Sequence, residues 1–271
     1  NIDRYVLTPT EAPYVEIQGR LFVMSPWVES REAVYDSPRD IMPAARFLAK
    51  LHRNAKGFIP PFSTERTWWG LWTRLWQERL DKLKQYKNTA EGQIPPSRFD
   101  RRFLRHMDQH WEQGIQALDI LAKSEYEKIT TEYQRTGSIC HHDYSERNVL
   151  FTSSGDIHLV DFDYCICDLP VHDLVNFSRR MAKFTNYDSN MACLALTTYL
   201  DENPLSKEHM QLFVPLWLWP QKFWEVAHQY YGEKRTRSRG TYFDRLRRRC
   251  RTRDKERRLL DNIVRVFQLS C

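Results

Sequence analysis

The chain has 271 residues, 41% of them hydrophobic and 28% charged, with a formal net charge of +6. No apolar run approaches the ~20 residues of a membrane helix; the richest, Leu212–Trp219, stops at Pro220. Six cysteines in so long a chain do not make a disulfide framework, and no signal-peptide pattern opens it, which points to the reducing cell interior.

Val15-Glu16-Ile17 alternates, Gln18-Gly19 can turn, and Leu21-Phe22-Val23-Met24 is apolar, which predicts a β-hairpin. Ser25-Pro26 stops its second strand, because proline has no N–H to give a ladder. Ser37-Pro38-Arg39-Asp40 reads as a capped helix start with a capping box. Ile41, Ala44, Ala45, Leu48, Leu51 and His52 then share one helical face, with His52 as a hydrogen-bonding core histidine. Trp72, Trp76, Leu80, Leu83 and Tyr86 mark a second amphipathic helix. Ser97 begins a third, with Phe103, Met107, Trp111, Ile115 and Leu118 as its stripe. Ser124 and Glu127 box the start of a fourth, which ends near Gly137. These aromatic stripes read as core.

The periodicity then changes. Ser138–His141 is a short extended segment, and Val149–Phe151 and Ile157–Val160 are short apolar strands joined by a turn at Ser153–Asp156. After Asp168 the pattern is helical to the end, with a break at Asn203-Pro204. A small β unit between helical blocks predicts an α+β fold rather than alternating βα units.

Chemistry concentrates in His141-His142-Asp143-Tyr144-Ser145-Glu146-Arg147-Asn148. Asp143 and Asn148 share a loop between extended segments, and Asp161 follows at the end of the next strand in Asp161-Phe162-Asp163. Phosphoryl transfer needs a carboxylate to orient and deprotonate the attacking hydroxyl. It also needs oxygen-bearing side chains to hold Mg²⁺ on the nucleotide phosphates. Asp143 supplies the first; Asn148 and Asp161 supply the second. The bland alternative is that Asp143 and Asn148 shape a turn and Asp161 caps a helix. Cys140, Cys165 and Cys167 fall nearby and leave two readings open: a metal site, for which the C-x-C pair lacks a second pair, or small buried thiols beside strands.

The order of the two motifs matches the protein kinase signature of catalytic loop and D-F-G metal residue. Ser145 stands where protein kinases carry Lys, and Asp163 where they carry Gly. Both departures resemble the aminoglycoside phosphotransferase and choline kinase superfamily, with its H-G-D-x-x-x-x-N loop and D-F-D metal motif. Asp168-Leu169-Pro170-Val171-His172-Asp173-Leu174 resembles its D-x-x-x-x-D-L segment, and Phe47–His52 its L-A-x-L-H helix. The resemblance implies a protein kinase-like fold, with residues 1–27 ending a small β N-lobe and 28–271 forming a large, mainly helical C-lobe. It implies Asp163 as a further metal ligand, and His141 and Asp173 as structural support of the catalytic loop. The strand and hinge at Leu21–Trp27 would offer Met24, Ser25 and Trp27 to the adenine of ATP. His142 replaces the usual Gly and reads as an exposed spacer, with contact to substrate or phosphate as the alternative; Arg147 is a candidate phosphate contact.

Trp219-Pro220-Gln221-Lys222-Phe223-Trp224, Tyr230-Tyr231 and the basic segment after them are similar to CotS-type spore coat proteins of endospore-forming bacteria. This implies a cytoplasmic protein incorporated in the spore coat. The phosphate-covering Gly-rich loop and strand Lys of such kinases do not occur in these residues, whose first Lys is Lys50; they are expected upstream of residue 1.

From Lys234 to Arg258 thirteen Lys/Arg face three Asp/Glu, a local +10 that leaves about −4 for the remainder. Such asymmetry suggests an anionic or spore coat protein partner for 234–258, the alternative being a solvated helix face. Nucleic acid fits poorly, because no exposed aromatics interleave with the basic residues. Two functions remain: a Mg²⁺- and ATP-dependent kinase of a small-molecule hydroxyl, or a catalytically silent, kinase-fold component of the coat.

Overall fold

A computed structural model describes residues 5–60, 65–233 and 238–270. The predicted hairpin is present as β1 (Val15–Ile17) and β2 (Arg20–Phe22), antiparallel with Glu16 opposite Leu21. Gln18 and Gly19 both have positive φ, 52° and 71°, as a tight two-residue hairpin turn requires. The second strand ends two residues earlier than its apolar run.

A second sheet has the order β3 (Ser30–Glu32), β4 (Val149–Thr152), β5 (Ile157–Leu159), all antiparallel. β4 and β5 are the expected strand–turn–strand unit. β3 was not legible: Ser30-Arg31-Glu32 is polar and exposed, and it is held by backbone pairing to β4 with Arg31 opposite Phe151. Its Arg31 guanidinium sits 4.8 Å from the Phe151 ring centroid and pairs with Asp40. That pairing explains a correction. Ser37 does precede α1 (Pro38–Asn54), but no capping box forms, because Asp40 accepts from Arg31 and from the Val34 amide instead.

The helical body comprises α2 (Trp72–Glu91), α3 (Arg98–Ala122), α4 (Tyr126–Thr136), α5 (Pro170–Phe184), α6 (Ser189–Glu202), α7 (Lys207–Gln211), α8 (Phe213–Leu218), α9 (Gln221–Tyr231) and α10 (Arg239–Val266). Ser97 forms the full capping box of α3 with Asp100. Ser124 does not box α4; its hydroxyl donates to the Leu121 carbonyl and accepts from the Tyr126 amide. The buried face of α3 also differs from the expected stripe. Phe103 and Met107 are buried as predicted, but they continue through His110, Gly114, Ala117 and Leu121, while Ile115 is exposed. α3 packs on α2, α8 and α10, so small and polar residues are buried beside the large apolar ones, with Trp111 and Leu118 half-buried against the core.

Tryptophans knit the body together. Trp72 stacks on Trp76 at 6.1 Å and on Tyr126 at 4.7 Å, and Trp76 stacks on Trp219 at 4.8 Å. Each such pair contributes ~0.5–1.5 kcal/mol beyond its burial. α4 ends at Gly137, whose φ is 76° and whose absent Cβ leaves room for the Phe58 carbonyl. Among the described residues no helix is long and apolar enough to cross a membrane.

Candidate active site

The loop carrying Asp143 is anchored from behind by α5. Asp173, wholly buried in the first turn of that helix, accepts the backbone N–H of His141 at 2.6 Å and of His142 at 2.8 Å. Its third partner is His52 Nε2 at 3.1 Å. An ionised carboxylate only accepts, so Nε2 donates, and His52 Nδ1 takes the Tyr199 hydroxyl at 2.7 Å. Burial, the largest influence, pushes the Asp173 carboxyl up; the His52 hydrogen bond, nearby His52 and His141, and the His142 amide together hold it below the ordinary carboxylate range.

His52, Cys140 and Asp173 are close enough to hold a metal ion. Their polar atoms are already engaged with one another and with the Leu169 carbonyl, which accepts from Cys140 Sγ at 3.2 Å. This cluster is therefore a brace. Burial pushes the Cys140 and Cys165 thiols up, Cys165 to about 11, which suits buried thiols rather than reactive ones.

At the front of the loop, Asn148 Nδ2 donates to the Asp143 carbonyl at 2.9 Å and to Asp143 Oδ2 at 3.3 Å. With its NH₂ so fixed, the carboxamide oxygen is the free end, a hard donor suited to Mg²⁺. Val160 ties the next strand to this pair: its amide donates to the Asn148 carbonyl at 3.1 Å, and its carbonyl accepts from His141 Nε2 at 3.0 Å. Asp161 follows directly, exposed and with φ 64°, a left-handed backbone that β-carbon sterics disfavour. Asp163 is exposed on the following 3₁₀ turn, Phe162–Tyr164, and the Phe162 ring packs edge-on against His141 at 4.7 Å.

Three features were not foreseen. His142 is half-buried rather than an exposed spacer, with φ 65° and its ring 5.2 Å from Trp68 and 4.9 Å from His172. Burial and His172 pull its imidazole down to about 4, so it is neutral at pH 7. Arg180 of α5 forms an ion pair with Asp143 Oδ1. Its sequence signal is spacing: Asp173, Asn176 and Arg180 lie at i, i+3 and i+7, on one helical face. The third feature is a cavity of about 600 Å³ that opens beside Asp143, lined by residues of α2, α5, α9 and α10.

On the hairpin side Met24, Ser25 and Trp27 are exposed, and the Met24 carbonyl already accepts the Val6 amide at 2.7 Å. Arg147 points to solvent. Within the basic segment, Arg235 and Arg237 lie outside the described residues. Arg247, Arg248 and Arg251 are exposed, whereas Arg245 and Arg249 face cavities. α10 is thus both a solvated face and a cavity wall.

Residues 1–263 match the family described as "Spore coat putative kinase YutH". The chain belongs to the YutH spore coat family. Its fold is similar to that of an aminoglycoside phosphotransferase from Alicyclobacillus acidocaldarius, with TM-score 0.83 and 20% identity over 98% of this chain and 78% of that one. It is also similar to the AMP-bound spectinomycin phosphotransferase APH(9)-Ia, with TM-score 0.65 and 13% identity over 91% and 74%. A choline kinase from Cryptosporidium parvum gives TM-score 0.54 and 13% identity over 97% and 75%. At these identities the likeness is one of fold: the expected kinase-like α+β architecture, with its small β part and large helical part. The expected resemblance to spore coat proteins is met by the family match.

Proposed function

We propose that this chain transfers the γ-phosphoryl group of Mg²⁺-ATP to a hydroxyl of a small molecule. The observation that carries the reading is the Asn148 clamp. It fixes Asp143 at the mouth of a cavity and leaves its own oxygen free beside the strand end that presents Asp161. Asp143 is the base that takes the hydroxyl proton. Asn148 and Asp161, with Asp163 alongside, are the oxygen donors for Mg²⁺, which when bound neutralises charge on the β- and γ-phosphates. Met24, Ser25 and Trp27 meet the adenine, and His141 and Asp173 hold the loop. The nucleotide choice draws support from related folds solved with ADP and AMP. The family description supports a role in the spore, for which we assign a cytoplasmic protein built into the coat.

One observation favours a second reading, a coat component that keeps the fold without turnover: Arg180 covers one oxygen of Asp143. Calorimetric titration of the intact protein with ATP, with and without Mg²⁺, separates the two. The kinase reading expects binding that needs the metal and that Asp161→Asn weakens. Absence of metal-dependent binding at millimolar ATP favours the silent component.

A further inference from the structure

The wall of the cavity beside Asp143 carries a charge pattern that selects its occupant. Five cations line it: Arg79, Arg179, Arg180, Lys222 and Arg245. Among the described residues its only lining carboxylates are Asp143 and Glu225, and neither is free. Asp143 is held by Arg180 and Asn148; Glu225 accepts from Lys222 at 2.9 and 3.0 Å and from Gln221 Nε2 at 2.9 Å. A ligand ammonium would therefore find no open acceptor of negative charge.

Several of the cations, in contrast, make no ion pair among the described residues, and Glu225 acts on Arg79 and Arg179 only from beyond ion-pair distance. Arg79 donates to the neutral Gln221 carboxamide at 2.9 Å, and Arg245 to the neutral Gln229 carboxamide at 2.6 Å. Arg179 gives its hydrogen bonds to the carbonyls of Leu216, Trp217 and Trp219. In the adjoining cavity Lys183 and Arg249 make no ion pair among the described residues. Burial first, and then Arg249, Arg180 and Lys222, push the Lys183 ammonium down to about 8, with Glu256 of the same wall opposing them.

The tryptophans do not reverse this. An aromatic cage could take a quaternary ammonium, but only through exposed ring faces. Trp72, Trp76 and Trp219 are buried and stacked on one another, and the face of Trp224 is covered by the Arg79 guanidinium at 4.4 Å. Their faces are spent on the fold; half-buried Trp68 has His142, His172 and the Arg79 guanidinium around its ring, and the exposed ring of Tyr164 does not by itself make a cage.

We propose that this cavity takes a sugar- or polyol-sized hydroxyl compound bearing a phosphate or carboxylate, with Arg79, Arg245 and the Lys222 N–H that Glu225 leaves unused meeting the anion while a hydroxyl reaches Asp143. The proposal rests on the kinase reading for the second half of that sentence. In the transfer, the hydroxyl proton passes to Asp143, and the hydroxyl oxygen bonds to the γ-phosphorus. The bond from that phosphorus to the bridging oxygen breaks, and ADP leaves with its electron pair. Fixed cations favour the anionic acceptor before any chemistry occurs, because in a partly buried site they act at low effective dielectric.

The test uses one six-carbon scaffold at different charges: glucose 6-phosphate, gluconate, glucose and glucosamine, titrated into the intact protein by calorimetry without nucleotide. At least one anion should bind about tenfold or more tightly than glucose, and glucosamine most weakly. Lys222→Glu with Arg245→Glu should abolish that preference, and Lys222→Gln with Arg245→Gln, which removes charge alone, should reduce it, with circular dichroism reporting the fold of each. Anions that bind no better than glucose, or do not bind, overturn the proposal. So does displacement of the anion by Mg²⁺-ATP, which would give these cations to the nucleotide. Because the readout is binding, a protein that fails to transfer phosphate can still show the anion preference, and the two readings fail separately.

Discussion

Replacing Asp173 should loosen the loop that carries Asp143 without touching any reacting group. In Asp173→Ala three buried donors lose their acceptor: the amides of His141 and His142 and the His52 ring. Each orphaned donor costs about 1–3 kcal/mol, so the total is on the order of 3–9 kcal/mol. A domain holds only ~5–15 kcal/mol, and this variant should be largely unfolded or aggregated. Asp173→Asn is the more informative change. Its oxygen can occupy the Oδ2 position and keep His141 and His52, which leaves the new NH₂ facing the His142 amide. One clashing donor pair and the lost charge should cost about 2–4 kcal/mol. At ~3 kcal/mol per molar urea, the unfolding midpoint read by tryptophan fluorescence should fall by roughly 1 M. Hydrogen exchange should show lost protection at His142 on the loop before it shows any in α5. The pH dependence has a definite sign. The folded carboxyl lies below its unfolded value, so the folded state binds fewer protons as acid is added. The brace is at full strength above the ordinary carboxylate range and is lost as pH falls through that range towards the folded value. The Asn variant should lack this portion of the acid sensitivity. An Asp173→Asn protein with unchanged midpoint and unchanged protection at His142 would refute the brace.

Other changes probe separate links. Gly137→Ala places a Cβ 2.3 Å from the Phe58 carbonyl at a positive φ, and chemical denaturation should show a loss of at least ~2 kcal/mol. Ser97→Ala should cost about 1 kcal/mol and Ser37→Ala a few tenths, because only Ser97 caps its helix in this structure; equal losses would contradict that. Arg180→Met breaks a half-exposed ion pair worth ~1 kcal/mol or less, so thermal stability should hold, while phosphoryl transfer should fall about ten- to a hundredfold as Asp143 loses its aim.

Much of the architecture was legible where a residue pattern and its physical consequence are local. The face of α1 reads directly from Ile41 to His52, and all six of those residues are buried. The Ser97 box formed because both partners lie within one turn. The Ser37 box did not, because Arg31, from a strand without apolar signal, competes for Asp40. On α3 only Ile115 of the expected stripe is exposed, Trp111 and Leu118 packing half-buried against the core; the burial of His110, stacked on Phe223 at 4.1 Å, was missed because hydrophobicity does not announce it. The spacing of Asp143, Asn148 and Asp161 was visible, but not the cavity. That depends on Arg79, Arg180, Lys222 and Arg245, which stand on four helices and meet only after folding.

The central claim is that Asp143 acts as a base on a bound hydroxyl while Asn148 and Asp161 serve the metal. Single-turnover transfer from γ-labelled ATP with Mg²⁺ to a mixture of anionic and neutral hydroxyl compounds tests it most directly, comparing the intact protein with Asp143→Asn. The account predicts label in an organic phosphate ester, and in the variant a rate lower by ~10²–10⁴ with ATP affinity nearly unchanged. Transfer by Asp143→Asn at the parent rate, or no labelled ester from the parent protein, would contradict it.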